Sequence, residues 1–190
     1  MKRLYPAKAL QVRPITVLLA EDNVSFRKSV KALIEADGDF EVVGEAKDGR
    51  EAVRLALGLL PKVVIMDIAM PFLNGLKATQ QITARSSATR VLILSAHPDP
   101  EYIEQALKCG ASGYLIKQSA PDDLIQAIRR VQEGKTFFSA SISKGLRDQC
   151  LKAFGKAELI RNKATHSSLS GEDLPLHKEG EEKRDHIEKN

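Results

Sequence analysis

Three carboxylates, one hydroxyl and one ammonium stand in the same kind of place in this 190-residue sequence, at the end of a short apolar run. Glu21 and Asp22 follow ITVLLA, Asp67 follows VVIM, Ser95 closes RVLILS and Lys117 closes SGYLIK. Carboxylates brought together repel unless a cation joins them. An all-oxygen, strongly negative donor set favours a hard cation, and Mg²⁺ fits it best. Such a site leaves room for a phosphoryl group, with Lys117 offsetting its charge and Ser95 donating a hydrogen bond. Asp67, central among these groups, is then placed to attack phosphorus and become an aspartyl-phosphate. Pro71 and Gly75 shape the loop after it. Each residue alone has a plainer role: a loop start for Glu21 and Asp22, a helix cap for Asp67, a turn for Ser95, a solvated side chain for Lys117. The argument for a site is the joint placement.

The elements that must bring these residues together are legible as alternating patterns. Apolar runs at 15–20, 40–46, 62–67, 90–95 and 112–117 suit strands buried on both faces. Helical spacing follows each. Ser25 opens the first helix, with Phe26, Val30, Leu33 and Ile34 on one stripe. Asp48 caps a helix over 48–60, and a short helix follows Gly75. Another runs over 100–110 and closes at Gly110. The last runs over 120–134, with Pro121 in its first turn and Gly134 at its end. Strand–helix repeated five times within about 120 residues is too short for an eight-unit barrel. It predicts an α/β doubly wound, flavodoxin-like fold with a five-stranded parallel sheet of order 2-1-3-4-5. Ligands of such sheets bind beyond the carboxyl ends of the strands, beside the switch in strand order, where the first and third strands lie.

Composition bounds the alternatives. The chain is 43% hydrophobic and 28% charged, as suits a globular core. No apolar run approaches the roughly 20 residues of a membrane span, and MKRLYPAKALQVRP has no apolar stretch of a secretory signal. Cys109 and Cys150 have no metal spacing and read as reduced thiols of a cytoplasmic protein. The net charge of +4 is modest and the last 40 residues are balanced, so no basic arm for nucleic acid stands out. Arg129 and Arg130, and the trio Arg27, Lys28 and Lys31, read as solvated helix faces. The expected organisation is an N-terminal extension over 1–13, a domain over 14–134, a linker with helical character over 135–164 and a disordered polar tail over 165–190. In the linker Ile142, Leu146, Cys150, Phe154, Ala157 and Ile160 form an apolar stripe, while Phe137 and Phe138 pack it onto the domain. The tail is too polar to offset ordering entropy.

The acidic pair in LLAEDN, the acceptor in VVIMDIAMPFLNGL, the hydroxyl in VLILSAH and the lysine in GYLIKQ, 45, 28 and 22 residues apart from Asp22 onward, resemble the receiver domain of two-component response regulators. The resemblance covers residues 14–134, and GKTFFS at 134–139 is similar to the segment following the receiver in the NarL/FixJ subfamily. It implies a phosphorelay protein in which a sensor histidine kinase gives its phosphoryl group to Asp67. It also implies Mg²⁺ held by Asp22, Asp67 and the Ala69 carbonyl, with Glu21 acting through water. Ser95 would move toward the phosphoryl group and Tyr114 would follow it inward, altering the face around the fourth helix, fifth strand and fifth helix and permitting a homodimer. Ala69 and His97 fall where phosphoryl lifetime would be tuned. The family lysine is often followed by Pro, which favours a cis peptide; here Gln118 follows.

The resemblance implies a signalling switch whose only chemistry is its own phosphorylation and dephosphorylation. The subfamily carries a DNA-binding helix-turn-helix domain. No matching four-helix pattern stands between 150 and 190, although SSLSGEDL is similar to its start, so DNA binding is not expected of this chain. The alternative is a truncated or frameshifted DNA-binding regulator of the same subfamily. A dehalogenase-like phosphatase also uses a strand-end Asp, but Ile68 and Ala69 supply no second acid for its D-x-D pattern. A pseudo-receiver that is never phosphorylated is at odds with the complete acidic, hydroxyl and lysine set. His166, His177 and His186 have no metal spacing and read as solvated.

Overall fold

Continuous apolar runs need cover on both faces, and the sheet provides it. The computed structural model describes residues 13–142, 144–148 and 152. Strands β1 (Ile15–Ala20), β2 (Phe40–Ala46), β3 (Val63–Met66), β4 (Arg90–Ser95) and β5 (Gly113–Ile116) are joined by helices α1 (Val24–Glu35), α2 (Gly49–Leu59), α3 (Gly75–Arg85) and α4 (Pro100–Lys108), and α5 (Ala120–Gln132) follows β5. All strand pairs are parallel. Side chains alternate between the faces along each strand. Leu18, Val64, Met66, Ile93 and Tyr114 pack with Ala52, Ala56, Ile82 and Ile103 of α2, α3 and α4. Val17, Leu19, Ile65, Leu92 and Leu115 pack with Ile34 of α1 and with Leu124, Ile128 and Val131 of α5. Each buried Leu, Ile or Val contributes about 1.5–3 kcal/mol, so both layers of helices are held by the sheet rather than by propensity alone.

The sheet has a sixth strand where the sequence predicts five. β6 (Phe137–Phe138) extends the order to β2-β1-β3-β4-β5-β6 and lies parallel to β5. Two residues carry no periodicity, which is why the sequence pattern does not reveal it. Its close approach depends on Gly113, where a Cβ would stand 2.8 Å from the Phe137 carbonyl oxygen. Ile142 is buried, and Leu146, in a helical stretch over 144–148, packs on the same cluster. The rest of the apolar stripe from Cys150 to Ile160 and the polar tail over 165–190 lie outside the described residues, as does the 1–12 part of the extension.

Element ends follow local chemistry. Asn23, not Ser25, caps α1, its side chain accepting from the Phe26 N–H. Asp48 caps α2 as expected. Gly110 and Gly134 take the left-handed backbone that ends α4 and α5, with φ of 89° and 80°. Lys117–Ser119 form one 3-10 turn, and no peptide bond among the described residues is cis. No helix of the described residues is long and apolar enough to cross a membrane. Cys109 is a free thiol, and burial pushes its pKa up.

The turn from β3 into α3 sets the position of Asp67. Asn74 caps α3 by accepting from the Lys77 N–H, and the Gly75 N–H donates to the Ile68 carbonyl at 3.0 Å. A Cβ on Gly75 would stand 1.8 Å from the Asp67 carbonyl oxygen. Only glycine lets α3 start this close to the acceptor's backbone. Gly75→Ala is therefore expected to lower unfolding free energy by about 1–3 kcal/mol in urea titration, with the amide signals of residues 67–69 displaced.

Candidate functional site

The sheet's hydrogen-bond ladder runs one residue past its strands and fixes two of the acids. The Glu21 N–H donates to the Ala46 carbonyl at 3.0 Å, and the Asp67 N–H donates to the Ala20 carbonyl at 2.9 Å. Both carboxyl groups are thus held at the carboxyl end of β1 and β3, where the strand order reverses. Both residues are buried, at 1% and 4% exposure, while Asp22 is open to solvent. One oxygen from each of the three carboxylates lies within 4.8 Å of the others. Lys117 reaches into the same place, its Nζ 2.8 Å from Glu21 Oε2 and 3.1 Å from Asp67 Oδ2. The ammonium also sits 4.8 Å from the ring centroid of Phe26, whose negative face adds to its stabilisation.

One ammonium cannot balance three carboxylates. Burial pushes the Glu21 carboxyl above its usual range, the charge of Asp67 adds to the rise, and the nearby Lys117 ammonium only partly offsets it. Burial pulls the Lys117 ammonium down, but Glu21 and Asp67 together outweigh it and leave its pKa raised. Glu21 Oε2 is fully enclosed and lacks a hydrogen-bond partner, even though the ammonium is 2.8 Å away. The short distance governs the charge attraction, and the unfavourable angle leaves a lone pair undirected. A buried, undirected carboxylate oxygen in an all-oxygen cluster with surplus negative charge fits a hard divalent cation.

Ser95 and Tyr114 both engage the backbone of His97. Ser95 Oγ accepts from the His97 N–H at 3.1 Å, and Tyr114 Oη donates to the His97 carbonyl at 2.7 Å. Tyr114 is wholly buried. The His97 imidazole is exposed, stacked on Tyr102 with centroids 4.9 Å apart, and 3.9 Å from the Asp99 carboxylate. Ala69 is exposed in the loop two residues beyond Asp67. The structure thus gathers Glu21, Asp22, Asp67 and Lys117 into one cluster and ties Ser95 and Tyr114 to the β4–α4 loop.

Several contributors escape the sequence reading. The Asn23 N–H donates to Glu21 Oε1 at 3.2 Å, and its type, that of a preferred cap residue, is the signal that points to it. Arg27 is not a solvated face residue. Its side chain is only 15% exposed, it donates to the Glu21 carbonyl through Nη1, and its Nε lies 3.2 Å from Glu45 Oε2. Lys31 pairs with the same Glu45 at 2.8 Å and lowers that carboxyl's pKa. Arg129 likewise bonds Asp37 and Asp39 and lies over Phe40. Periodicity places these side chains on helix faces but does not show what the adjacent strand or loop presents to them.

Phe72, in the acceptor loop, is 78% exposed and has φ of 63°. A bulky side chain in the left-handed region costs about 1–2 kcal/mol, and the chain entropy of glycine offsets part of any relief. Phe72→Gly is expected to stabilise the fold by up to about 1 kcal/mol in chemical denaturation. Burial, with the charge of Asp99 adding, holds the Tyr114 phenol up to about 12. Its folded pKa is raised above the ordinary tyrosine value near 10. The corresponding stability is therefore complete below pH 10 and lost as pH climbs through 12. Alkaline absorbance titration should show one of the three tyrosines ionising late, and Tyr114→Phe should remove that step.

Comparison with known proteins agrees with the geometry. Residues 17–129 match the response regulator receiver domain family. The transcriptional regulatory protein DegU of Brevibacillus brevis is 38% identical over 132 residues, 70% of this chain and 56% of that protein. The nitrate/nitrite response regulator protein NarL of Escherichia coli K12 is 35% identical over 130 residues, 68% of this chain and 60% of that protein. The chain thus spans little more than half the length of these curated relatives. Among solved structures, the signal receiver domain of the NarL response regulator from Mycobacterium tuberculosis superposes with a TM-score of 0.63 at 33% identity, covering 65% of this chain and all of that one. A LuxR-family two-component response regulator from Aurantimonas gives a TM-score of 0.68 at 33% identity, covering 73% and 99%. A matched segment that spans most of the described fold and includes Glu21, Asp22, Asp67, Ser95 and Lys117 leaves one assignment: the chain belongs to the response regulator receiver domain family.

Proposed function

We propose that the chain is a phospho-accepting switch in which Asp67 takes a phosphoryl group from a sensor histidine kinase. The observation that carries this reading is the buried contact of Lys117 with both Glu21 and Asp67 inside a three-carboxylate cluster. An Asp67 carboxylate oxygen attacks phosphorus, a P–O bond forms, and the P–N bond to the donor imidazole breaks with its electron pair leaving on nitrogen. Lys117 is within reach of the reacting carboxylate and stabilises the developing charge. Glu21, Asp22, Asp67 and the Ala69 carbonyl would hold Mg²⁺, which when bound supplies positive charge to the phosphoryl oxygens. Ser95 and Tyr114 act as the responding pair. Both already engage His97, so a shift of Ser95 toward a phosphoryl oxygen would alter the loop to which the Tyr114 hydroxyl is bonded. The response would then reach the face of α4, β5 and α5, where a partner protein or a second copy binds. The His97 side chain, engaged with Tyr102, would tune phosphoryl lifetime only by leaving that stack.

A DNA-binding output is a second reading, favoured by the transcriptional regulators among the relatives. Gel-shift assays with promoter fragments, with and without phosphorylation, would decide it: a phosphorylation-dependent shift supports it and unchanged mobility rejects it.

Intact mass after incubation with acetyl phosphate and Mg²⁺ tests the main reading. A gain of one phosphoryl group is expected, absent in Asp67→Asn and absent under chelation. Lys117→Ala should slow uptake by about 10²–10³-fold, the scale for loss of one electrostatic stabiliser. Mg²⁺ should raise Tm of the unphosphorylated protein, because a ligand of the folded state alone stabilises it, and Asp22→Asn should cancel most of that rise. A folded, Mg²⁺-binding protein that gains no mass would defeat the reading.

A further inference from the structure

The segment after α5 does more than extend the sheet. The Ser139 N–H donates to the Tyr114 carbonyl at 3.1 Å as part of the β5–β6 ladder. The next rung of a parallel ladder would carry the Ile116 N–H to the Ser139 carbonyl. That carbonyl instead accepts from the Ile142 N–H at 3.0 Å, as the chain turns away. The Ser139 hydroxyl takes its place, accepting from the Ile116 N–H at 2.8 Å. Ser119 Oγ donates its proton to the Ile116 carbonyl at 3.1 Å and lies 2.9 Å from Ser139 Oγ. With the proton of Ser119 committed, Ser139 must be the donor of that pair. The two serines therefore close a ring on both polar groups of Ile116: N–H to Ser139, Ser139 to Ser119, Ser119 to the carbonyl. Ser139 is wholly buried, and rings of this kind reinforce themselves in a low dielectric.

Ile116 immediately precedes Lys117. On the other side, the Ala120 N–H donates to the Lys117 carbonyl and closes the 3-10 turn. The backbone that aims the ammonium at Glu21 and Asp67 is thus clamped before and after the residue, and one jaw of the clamp belongs to the segment beyond α5. We propose that Ser139 is a positioning residue for Lys117, so that whatever pulls on or releases the segment after β6 changes how readily Asp67 accepts and keeps a phosphoryl group. This rests on the phospho-accepting reading above.

The test compares wild type, Ser139→Ala, Ser139→Thr, Ser119→Ala and Val30→Ala in the full chain. Val30 is a buried α1 residue packed in the cluster on the other face and serves as a stability control. Three quantities are read: the rate of phosphoryl uptake from acetyl phosphate by intact mass, the affinity for beryllofluoride in saturating Mg²⁺, and the affinity for Mg²⁺ alone. Ser139→Ala and Ser119→Ala should each slow uptake and weaken beryllofluoride binding by at least about tenfold, as misplacement of a reacting group does. Their Mg²⁺ affinity should not fall, since the three carboxylates follow β1 and β3 and a displaced ammonium leaves them more negative. Ser139→Thr, which keeps the hydroxyl, should recover most of the rate, and Val30→Ala should keep the wild-type rate per folded molecule. A Ser139→Ala protein as fast as wild type, or one slowed no more than Val30→Ala, overturns the inference while leaving phosphorylation of Asp67 intact. A wild type that takes no phosphoryl group overturns the function itself and this inference with it.

Discussion

Everything near the strand ends is arranged around one ammonium shared by two buried carboxylates. Moving a charge out of water costs several kcal/mol even after relaxation, and Glu21 and Asp67 are both almost fully enclosed. Lys117 offsets part of that cost, yet with Asp22 the four groups still sum to −2, counted as ionised. Burial and the neighbouring Asp67 charge both push the Glu21 carboxyl above its usual range. A site kept in this condition is poised for a cation and for a group that lets the lysine share its charge with new oxygens.

Holding that imbalance requires a rigid frame. The ladder bonds from Glu21 to Ala46 and from Asp67 to Ala20 anchor the acids to the sheet itself. Asn23 and Arg27 add bonds to Glu21 from the start of α1, and Gly75 brings α3 against the Asp67 backbone. The lysine is anchored differently. Its strand is short, its turn is a single 3-10 turn, and its last ladder rung is made by a serine side chain from beyond α5. The acids are thus set by the body of the sheet and the lysine by its edge, and an edge is the part of a sheet that a neighbouring segment can most readily alter.

Two loops on the same rim carry further features beside the acids. Phe72 is left-handed and largely solvent-exposed close to Asp67 in the chain. His97 uses both of its backbone groups to connect Ser95 and Tyr114 while its ring lies on Tyr102. Residues that bridge in this way are those through which a small displacement at one strand end is felt at the next strand.

The sequence by itself determines the alternation of strands and helices, because an apolar run and a 3.6-residue stripe are local signals. It also determines the placement of five chemical groups at strand ends, because strand ends are where those runs stop. From that alternation follow the parallel sheet, its switch point, and the meeting of Glu21, Asp22, Asp67 and Lys117. What only the tertiary structure decides are contacts between segments far apart in the chain that leave no periodic trace. Arg27 looks like a solvated helix residue until the end of β1 and Glu45 of β2 are beside it. Ser139 looks like a linker hydroxyl until β6 lies along β5, and His97 looks like a loop histidine until its peptide groups are found between Ser95 and Tyr114. A two-residue strand has no pattern to read, and the partner of a hydrogen bond is set by the fold around it rather than by the residues next to it in the chain.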